Sequence, residues 1–224
     1  MQDSKVLRLI ASGNGRDCFE HPLDPARCIK VPHTARGRKE SRIEARYLRF
    51  QSFFHDTRDT PYIAHYHGID HTTRGPGWVY DRILDESSNE PSPTLADTLD
   101  DDEYGREPIV WDQAFSDFHH WLARTPLVVK DLTPSNLCAQ RLQDGSIRLV
   151  VIDGIGPSAF LARWVPLSSY ANRRNPVYAA RRGMHGLHSL IAACVYYRER
   201  RAEQRRKRAS TKSSATVSPV YLLP

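Results

Sequence analysis

The chain has 224 residues, of which 40% are hydrophobic and 26% are charged, so it can form one ordinary domain or two small lobes around a cleft. Its net charge of +6 is concentrated in residues 198–212, which hold eight basic residues against two acidic ones. The remaining 24 basic and 24 acidic residues balance. This distribution disfavours nucleic acid as a partner of the folded part, and it predicts a basic, disordered tail at 198–224.

The cysteines are scattered and form no C-x-x-C pair; they are Cys18, Cys28, Cys138 and Cys194. This pattern predicts buried, reduced thiols and therefore a cytoplasmic protein. The beginning of the chain is not typical of a signal peptide, and polar residues interrupt the longest apolar stretch, 187–197. We therefore expect no membrane-spanning segment.

The first predicted elements are two short strands, at 6–10 and 17–20, which flank a glycine-containing turn at 12–16. Glycine lets the backbone approach a phosphate closely and exposes its N–H groups. Gly13 and Gly15 are therefore candidate nucleotide-binding residues. Taken alone, the pattern is more typical of a plain hairpin turn.

The next predicted strand, 28–31, carries one lysine, Lys30, among apolar residues. By itself this pattern is most typical of the solvent-facing position of an edge strand. In a kinase-like cleft, Lys30 would instead contact the nucleotide phosphates and pair with a glutamate of the following helix. That helix is predicted at 36–54, with an apolar face made of Ile43, Tyr47, Phe50 and Phe54. Glu44 adjoins this face and is the predicted partner, Glu40 is the alternate, and a solvated helix charge remains open for both.

Two further strands are predicted at 63–66 and 77–83. The second contains Asp81-Arg82-Ile83, whose backbone is a candidate contact for an adenine. Three nearby histidines, His65, His67 and His71, permit a metal interpretation. We do not favour it, because no Cys, Asp or Glu arrangement completes a defined site.

Residues 85–93 are polar and contain proline, which indicates a linker between an N-terminal lobe at 1–84 and a C-terminal lobe at 85–197. Thr94 is a candidate cap for a short helix. The strongest helix pattern spans 109–122, with an apolar stripe made of Trp111, Phe115, Phe118 and Leu122. After Gly154 the remaining length suffices for two or three short helices before the tail.

Two segments of the C-terminal half carry the predicted chemistry: V-V-K-D-L-T-P-S-N-L at 128–137 and V-V-I-D-G at 150–154. A tight turn between Asp131 and Asn136 would let both face a substrate hydroxyl and a metal ion. Asp153 stands at the end of a predicted strand beside a glycine, a suitable place to hold nucleotide-bound Mg²⁺. Each segment alone is also explained as a surface turn, but their order after the glycine turn, Lys30 and Glu44 favours a kinase-like centre.

These segments, together with G-N-G-R-D-C-F-E-H-P-L-D-P-A-R-C-I-K-V, R-I-E-A-R-Y-L, H-Y-H-G and W-V-Y-D-R-I, resemble the YrbL family of PhoP regulatory network proteins over roughly residues 5–190. The resemblance implies a bacterial, cytoplasmic protein that is similar to protein kinases in fold and connected with a magnesium-responsive network. It assigns phosphate binding to Lys30, its helical partner to Glu44, the catalytic base to Asp131, and metal binding to Asn136 and Asp153. The chain departs from ordinary kinases at Val129-Lys130, at Thr133 and around Asp153-Gly154.

The sequence thus predicts an α+β, two-lobed protein-kinase-like fold with a small antiparallel-sheet N-lobe and a short helical C-lobe. The predicted function is Mg²⁺-dependent transfer of a phosphoryl group from ATP to an unknown hydroxyl acceptor, a small molecule or a protein. The alternative is a catalytically silent regulator that acts by binding a partner. The oligomeric state is left open.

Overall fold

A computed structural model describes residues 6–54, 60–100 and 106–157. The strands are β1 (Leu9–Ser12), β2 (Arg16–Glu20), β3 (Arg27–Pro32), β4 (Tyr66–Thr72), β5 (Gly75–Asp81), β6 (Leu137–Arg141) and β7 (Ile147–Val151). The helices are α1 (Ala35–Phe54), α2 (Leu95–Asp100) and α3 (Pro108–Arg124), with a 3₁₀ turn at Pro134–Asn136. The predicted short helices after Gly154 and the predicted tail at 198–224 lie outside the described residues.

The N-terminal part is a five-stranded antiparallel sheet in the order β1-β2-β3-β5-β4, with α1 inserted between β3 and β4. The architecture is therefore α+β. The predicted strand at 63–66 was wrong: Ile63 makes only an isolated bridge, and β4 instead covers the polar segment that begins at Tyr66. This segment forms an edge strand, where alternate side chains face solvent and an apolar run is not required.

Lys30 lies on β3, the central strand, between Cys18 of β2 and Trp78 of β5. Its side chain is buried, with a relative exposure of 7%. The edge-strand interpretation of Lys30 is therefore wrong. Strands flank this position on both sides, because β5 pairs with β3 in space although α1 and β4 separate them in sequence.

Helix α1 forms where the periodicity predicts it, but its buried face is rotated from the predicted one. Tyr47 is fully buried, whereas Ile43 and Phe50 are half-buried, and Ser41 and Glu44 turn inward. Helix α3 buries the whole predicted stripe, because an almost continuous apolar face leaves only one way to pack it.

The C-terminal part contains α2, α3 and the two-stranded antiparallel sheet β6-β7, so it is less purely helical than predicted. Thr94 caps α2: its hydroxyl contacts Asp97 Oδ2 at 2.6 Å, and Asp97 N donates back to that hydroxyl at 3.2 Å. The two parts are joined through β7, because Val151 N donates to Tyr62 O at 2.8 Å and Ala64 N donates to Val151 O at 2.9 Å. One apolar core runs from α1 through α3 to β7.

Cys28 and Cys138 are buried free thiols, and Cys18 is a partly buried one. Burial raises the pKa of Cys138 to about 12, so this thiol stays protonated and inert at neutral pH. In the three described ranges, no helix has both the length and the apolar character needed to cross a bilayer.

Candidate functional site

The loop that carries Asp131 and the turn that carries Asp153 are held together by backbone hydrogen bonds. Lys130 N donates to Gly154 O at 2.9 Å, Gly156 N donates to Val128 O at 2.7 Å, and Ile152 N donates to Asn136 O at 2.9 Å. Val129 and Ile155 form an antiparallel bridge between the first two bonds. Two segments twenty residues apart thus form one rigid unit.

Gly154 lets this unit close. Its φ is +81°, and a Cβ at this position would lie only 2.9 Å from the Cβ of Asp131. Any other residue would push the two segments apart. The glycine therefore allows the segments that carry Asp131 and Asp153 to lie side by side.

Asp131 and Asn136 are the two ends of one tight turn, as predicted. The turn closes through the 3₁₀ segment, and Asn136 Nδ2 donates to the backbone carbonyl of Asp131 at 3.2 Å. This bond fixes the amide and directs its Oδ1 atom away from Asp131 O. The Asp131 residue is exposed, and its carboxylate accepts no hydrogen bond from any described residue. A carboxylate in this state is available to accept a proton from a bound hydroxyl group.

Asp153 lies between two cations at the end of β7. Its Oδ1 accepts a hydrogen bond from Gly154 N at 2.6 Å and pairs with the guanidinium of Arg16. Burial disfavours the charge of Asp153, but Lys30 and Arg16 outweigh it and hold the pKa of this carboxyl at about 2. Asp153 is thus an anion throughout the physiological range, as a metal ligand must be.

Lys30 reaches the same turn from the sheet. Its ammonium donates to the carbonyl of Ile152, the residue before Asp153, and lies 4.6 Å from the ring centroid of Tyr80. The aromatic face stabilises the buried ammonium without neutralising it. Lys30 therefore places its amine nitrogen at the edge of the Asp153 turn.

Glu44 faces the site, with only 2% of its side chain exposed, but its ion-pair partner is not the predicted one. Arg16 Nη1 contacts Glu44 Oε2 at 2.9 Å, and no ion pair joins Glu44 to Lys30 in the described ranges. Because Arg16 also pairs with Asp153, one guanidinium bridges α1 and the Asp153 turn. Burial lowers the pKa of Arg16, but the two carboxylates more than offset this and raise it above its ordinary value.

Arg16 is the site residue that sequence reasoning missed. It is the first residue of β2 and directly follows the glycine turn. Its position beside Gly15 is the one feature of the sequence that could have marked it as a site residue. Its partner Asp153 lies 137 positions away, and a charged residue on a strand does not reveal such a partner.

The glycine turn lies against the beginning of α1. His33 N donates to Gly15 O at 3.1 Å, and a Cβ on Gly37 would lie only 2.1 Å from that same carbonyl. The absence of a side chain at Gly37 therefore lets the turn pack on the helix. Gly13 is exposed at the tip, where its N–H donates to Arg16 O at 2.9 Å.

The predicted adenine-contacting segment joins the two parts of the chain. The Asp81 carbonyl lies 3.6 Å from the Sγ of Cys28, which is two residues before Lys30 on the same face of β3. The segment also borders a cavity of about 350 Å³. The Asp81 backbone carbonyl therefore lies beside β3, close to Cys28.

The nearby histidines bind Asp81 and do not form a metal centre. His65 Nδ1 lies 2.7 Å from Asp81 Oδ2, and His67 Nε2 lies 2.5 Å from Oδ1. Burial disfavours the Asp81 anion, but these contacts outweigh it and hold its pKa at about 2. Among the described residues, no group of three or more His, Cys, Asp or Glu side chains could hold a metal ion.

The sequence profile described as PhoP regulatory network protein YrbL matches residues 5–184, which include every candidate site residue. The chain belongs to the YrbL family. YrbL of Escherichia coli strain K12 is 31% identical over 159 residues, which make up 69% of this chain and 74% of that protein. YrbL of Shigella flexneri matches with the same identity and coverage.

The site of this YrbL-family chain offers oxygen ligands of the kind that Mg²⁺ prefers: the Asp153 carboxylate and the Asn136 amide oxygen. Mg²⁺ in nucleotide sites takes one or two carboxylates and completes its octahedron with phosphates and waters. Two protein ligands are therefore a sufficient set, and the donor chemistry fits. Arg16 has to release Asp153 Oδ1 before that oxygen can bind a metal ion.

Proposed function

We propose that this YrbL-family protein has a two-lobed protein-kinase-like cleft, binds Mg-ATP there and transfers the γ-phosphoryl group to a hydroxyl acceptor. The observation that carries the proposal is the backbone pairing of 128–136 with 152–156, which brings Asp131, Asn136 and Asp153 onto one unit. Lys30, on the five-stranded sheet, donates a hydrogen bond to the Ile152 carbonyl of this unit. Three oxygen-bearing side chains and one buried ammonium in this arrangement favour phosphoryl-transfer chemistry.

In this proposal Asp131 is the base. Its exposed carboxylate would accept the proton of the acceptor hydroxyl, while the rigid turn through Asn136 fixes its direction. Asp153 and Asn136 would hold Mg²⁺, which when bound neutralises phosphate charge. Lys30 would bind the α- and β-phosphates, and the turn at Gly13 and Gly15 would cover them.

Arg16 has a defined place in this scheme. Before nucleotide binds, its guanidinium supplies the positive charge that Asp153 and Glu44 require. If Asp153 held Mg²⁺, Arg16 would keep its contact with Glu44, and its second terminal nitrogen would be available to the phosphates. Glu44 would therefore position Arg16 and not Lys30, in contrast with the sequence-based prediction.

The alternative function is a catalytically silent regulator that acts through partner binding. The Arg16–Asp153 pair favours this alternative, because a built-in cation already satisfies the carboxylate that would hold the metal. The description of the family as a PhoP regulatory network protein is consistent with such a role.

Thermal unfolding with and without ATP and Mg²⁺ tests the proposal. A ligand that binds only the native state raises its stability by RT ln(1 + [L]/Kd), about 2.7 kcal/mol at a hundredfold excess over Kd. We expect a stabilisation that needs both ATP and Mg²⁺. No shift at about 5 mM of each, where a Kd of 50 µM would give that hundredfold excess, would favour the silent regulator.

A further inference from the structure

A groove with a volume of about 990 Å³ lies between the beginning of α1 and the β4–β5 turn, and at His33 it borders the glycine turn of the candidate site. Four cationic side chains belong to its lining: Arg38, Lys39, Arg42 and Arg74. This volume is at the upper end of the range of about 300–1,000 Å³ that is typical of ligand pockets. The groove is therefore large enough for a short segment of another molecule.

Three of these cations have no counter-ion among the described residues. Arg38, Lys39 and Arg42 are exposed, and their side chains make no hydrogen bond or ion pair with any residue in the described ranges. Neighbouring basic residues, by contrast, do pair with carboxylates. Arg36 pairs with Glu40 at 3.0 Å, and Arg74 pairs with Asp17 at 3.0 Å.

One of the unpaired charges, Arg38, also lies in the first turn of α1, where a helix least favours a cation. The first turn of α1 contains no acidic residue, so the basic side chains add to the positive end of the helix dipole. Like charges one turn apart, such as Arg38 and Arg42, repel each other. Negative charge placed in the groove would relieve both effects.

Apolar residues also line the groove. Pro32, Ala35 and Ile43 belong to its lining, and Ile43 is half-exposed although it is an isoleucine of an amphipathic helix. Among the described residues, the lining contains no Phe, Tyr or Trp on which a nucleobase could stack. Aliphatic surface between arginines fits a peptide that alternates acidic and aliphatic side chains better than it fits a polynucleotide.

We propose that this basic groove binds an acidic peptide segment of a partner protein. Arginine forks would pair with its carboxylates, which is a recurring mode of acidic-motif recognition, and Ile43 would contact its aliphatic side chains. The inference does not depend on nucleotide binding, because Arg38, Lys39 and Arg42 have no role in the proposed nucleotide site.

Fluorescence anisotropy with the full chain tests the proposal. The probe is a fluorescein-labelled decapeptide of alternating glutamate and leucine, compared with a peptide that has glutamine at every glutamate position and with a labelled 20-nucleotide single-stranded DNA. The groove variant is Arg38→Gln/Arg42→Gln. The matched control is Arg46→Gln/Arg49→Gln, which removes the same charge from exposed positions of the same helix outside the groove.

The groove variant is expected to weaken binding of the acidic peptide at least about tenfold, and the control at most about threefold. The glutamine peptide and the DNA should bind more weakly than the acidic peptide. Equal losses in the two variants would show that only overall charge matters and would overturn the proposal. Tighter binding of the DNA, or no binding of the acidic peptide, would overturn it as well.

Discussion

The ion pair between Arg16 and Glu44 is expected to stabilise the fold strongly, and its removal gives a sharp prediction. The side chains are 13% and 2% exposed, so Glu44 has almost no access to water if Arg16 is lost. Removing one partner of a buried pair costs about 3–5 kcal/mol, because the remaining charge is left uncompensated. Arg16→Met should therefore lower the melting temperature by about 6–20 °C for a chain of this size.

Neutralising Glu44 in the same molecule should restore most of that loss. Replacement of a buried ion pair by neutral side chains of similar volume is often close to neutral, so Arg16→Met/Glu44→Gln should be more stable than Arg16→Met by about 2 kcal/mol or more. Urea unfolding of the parent chain, both single variants and the double variant completes a double-mutant cycle.

Two outcomes would refute this reasoning. A loss below about 1 kcal/mol in Arg16→Met would mean that Glu44 finds another cation, with Lys30 the nearest candidate on the sheet. Additive losses in the double variant would mean that Arg16 and Glu44 do not interact.

Three further substitutions test other parts of the account. Lys30→Met should weaken Mg-ATP binding at least about tenfold while the far-UV circular dichroism stays unchanged, and unchanged affinity in a titration would count against the phosphate-binding role. Asp131→Asn should keep ATP affinity but lower turnover by about 10²–10⁴, measured as slow ATP hydrolysis if no acceptor is known. Tyr47→Phe removes the hydroxyl that accepts a hydrogen bond from Val128 N at 2.9 Å. Because this buried N–H group then lacks its acceptor, the free energy of unfolding in urea should fall by about 1–3 kcal/mol. No loss in Tyr47→Phe would show that the loop does not depend on this bond.

The sequence predicted correctly those elements whose local residue pattern is compatible with only one secondary structure. Helix α3 has a full apolar stripe, and Thr94 stands three residues before an aspartate at a helix start, so both were predicted and confirmed. The edge strand β4 could not be predicted in this way, because its polar alternation resembles a loop. Its partner β5 supplies the hydrogen bonds that make it a strand.

The candidate site shows the same limit. The positions of Asp131 and Asp153 follow from short turns, which the sequence displays directly. The burial of Lys30 depends on β5, which joins the sheet from 48 positions away at Trp78, so no local pattern reveals it. The partner of Glu44 was also beyond local reasoning, because strand geometry decides whether Arg16 or Lys30 reaches it.

The most direct test of the central claim is calorimetric titration of ATP into the parent chain and Asp153→Asn, each with Mg²⁺ and with EDTA. If Asp153 holds the metal that bridges the phosphates, the parent should bind ATP more tightly with Mg²⁺, and Asp153→Asn should lose this Mg²⁺-dependent gain. Asp131→Asn is the matched control and should retain it, because in the proposed scheme Asp131 contacts the acceptor and not the nucleotide. Equal Mg²⁺ dependence in the parent and Asp153→Asn, or no ATP binding to the parent in either buffer, would contradict the proposed nucleotide site.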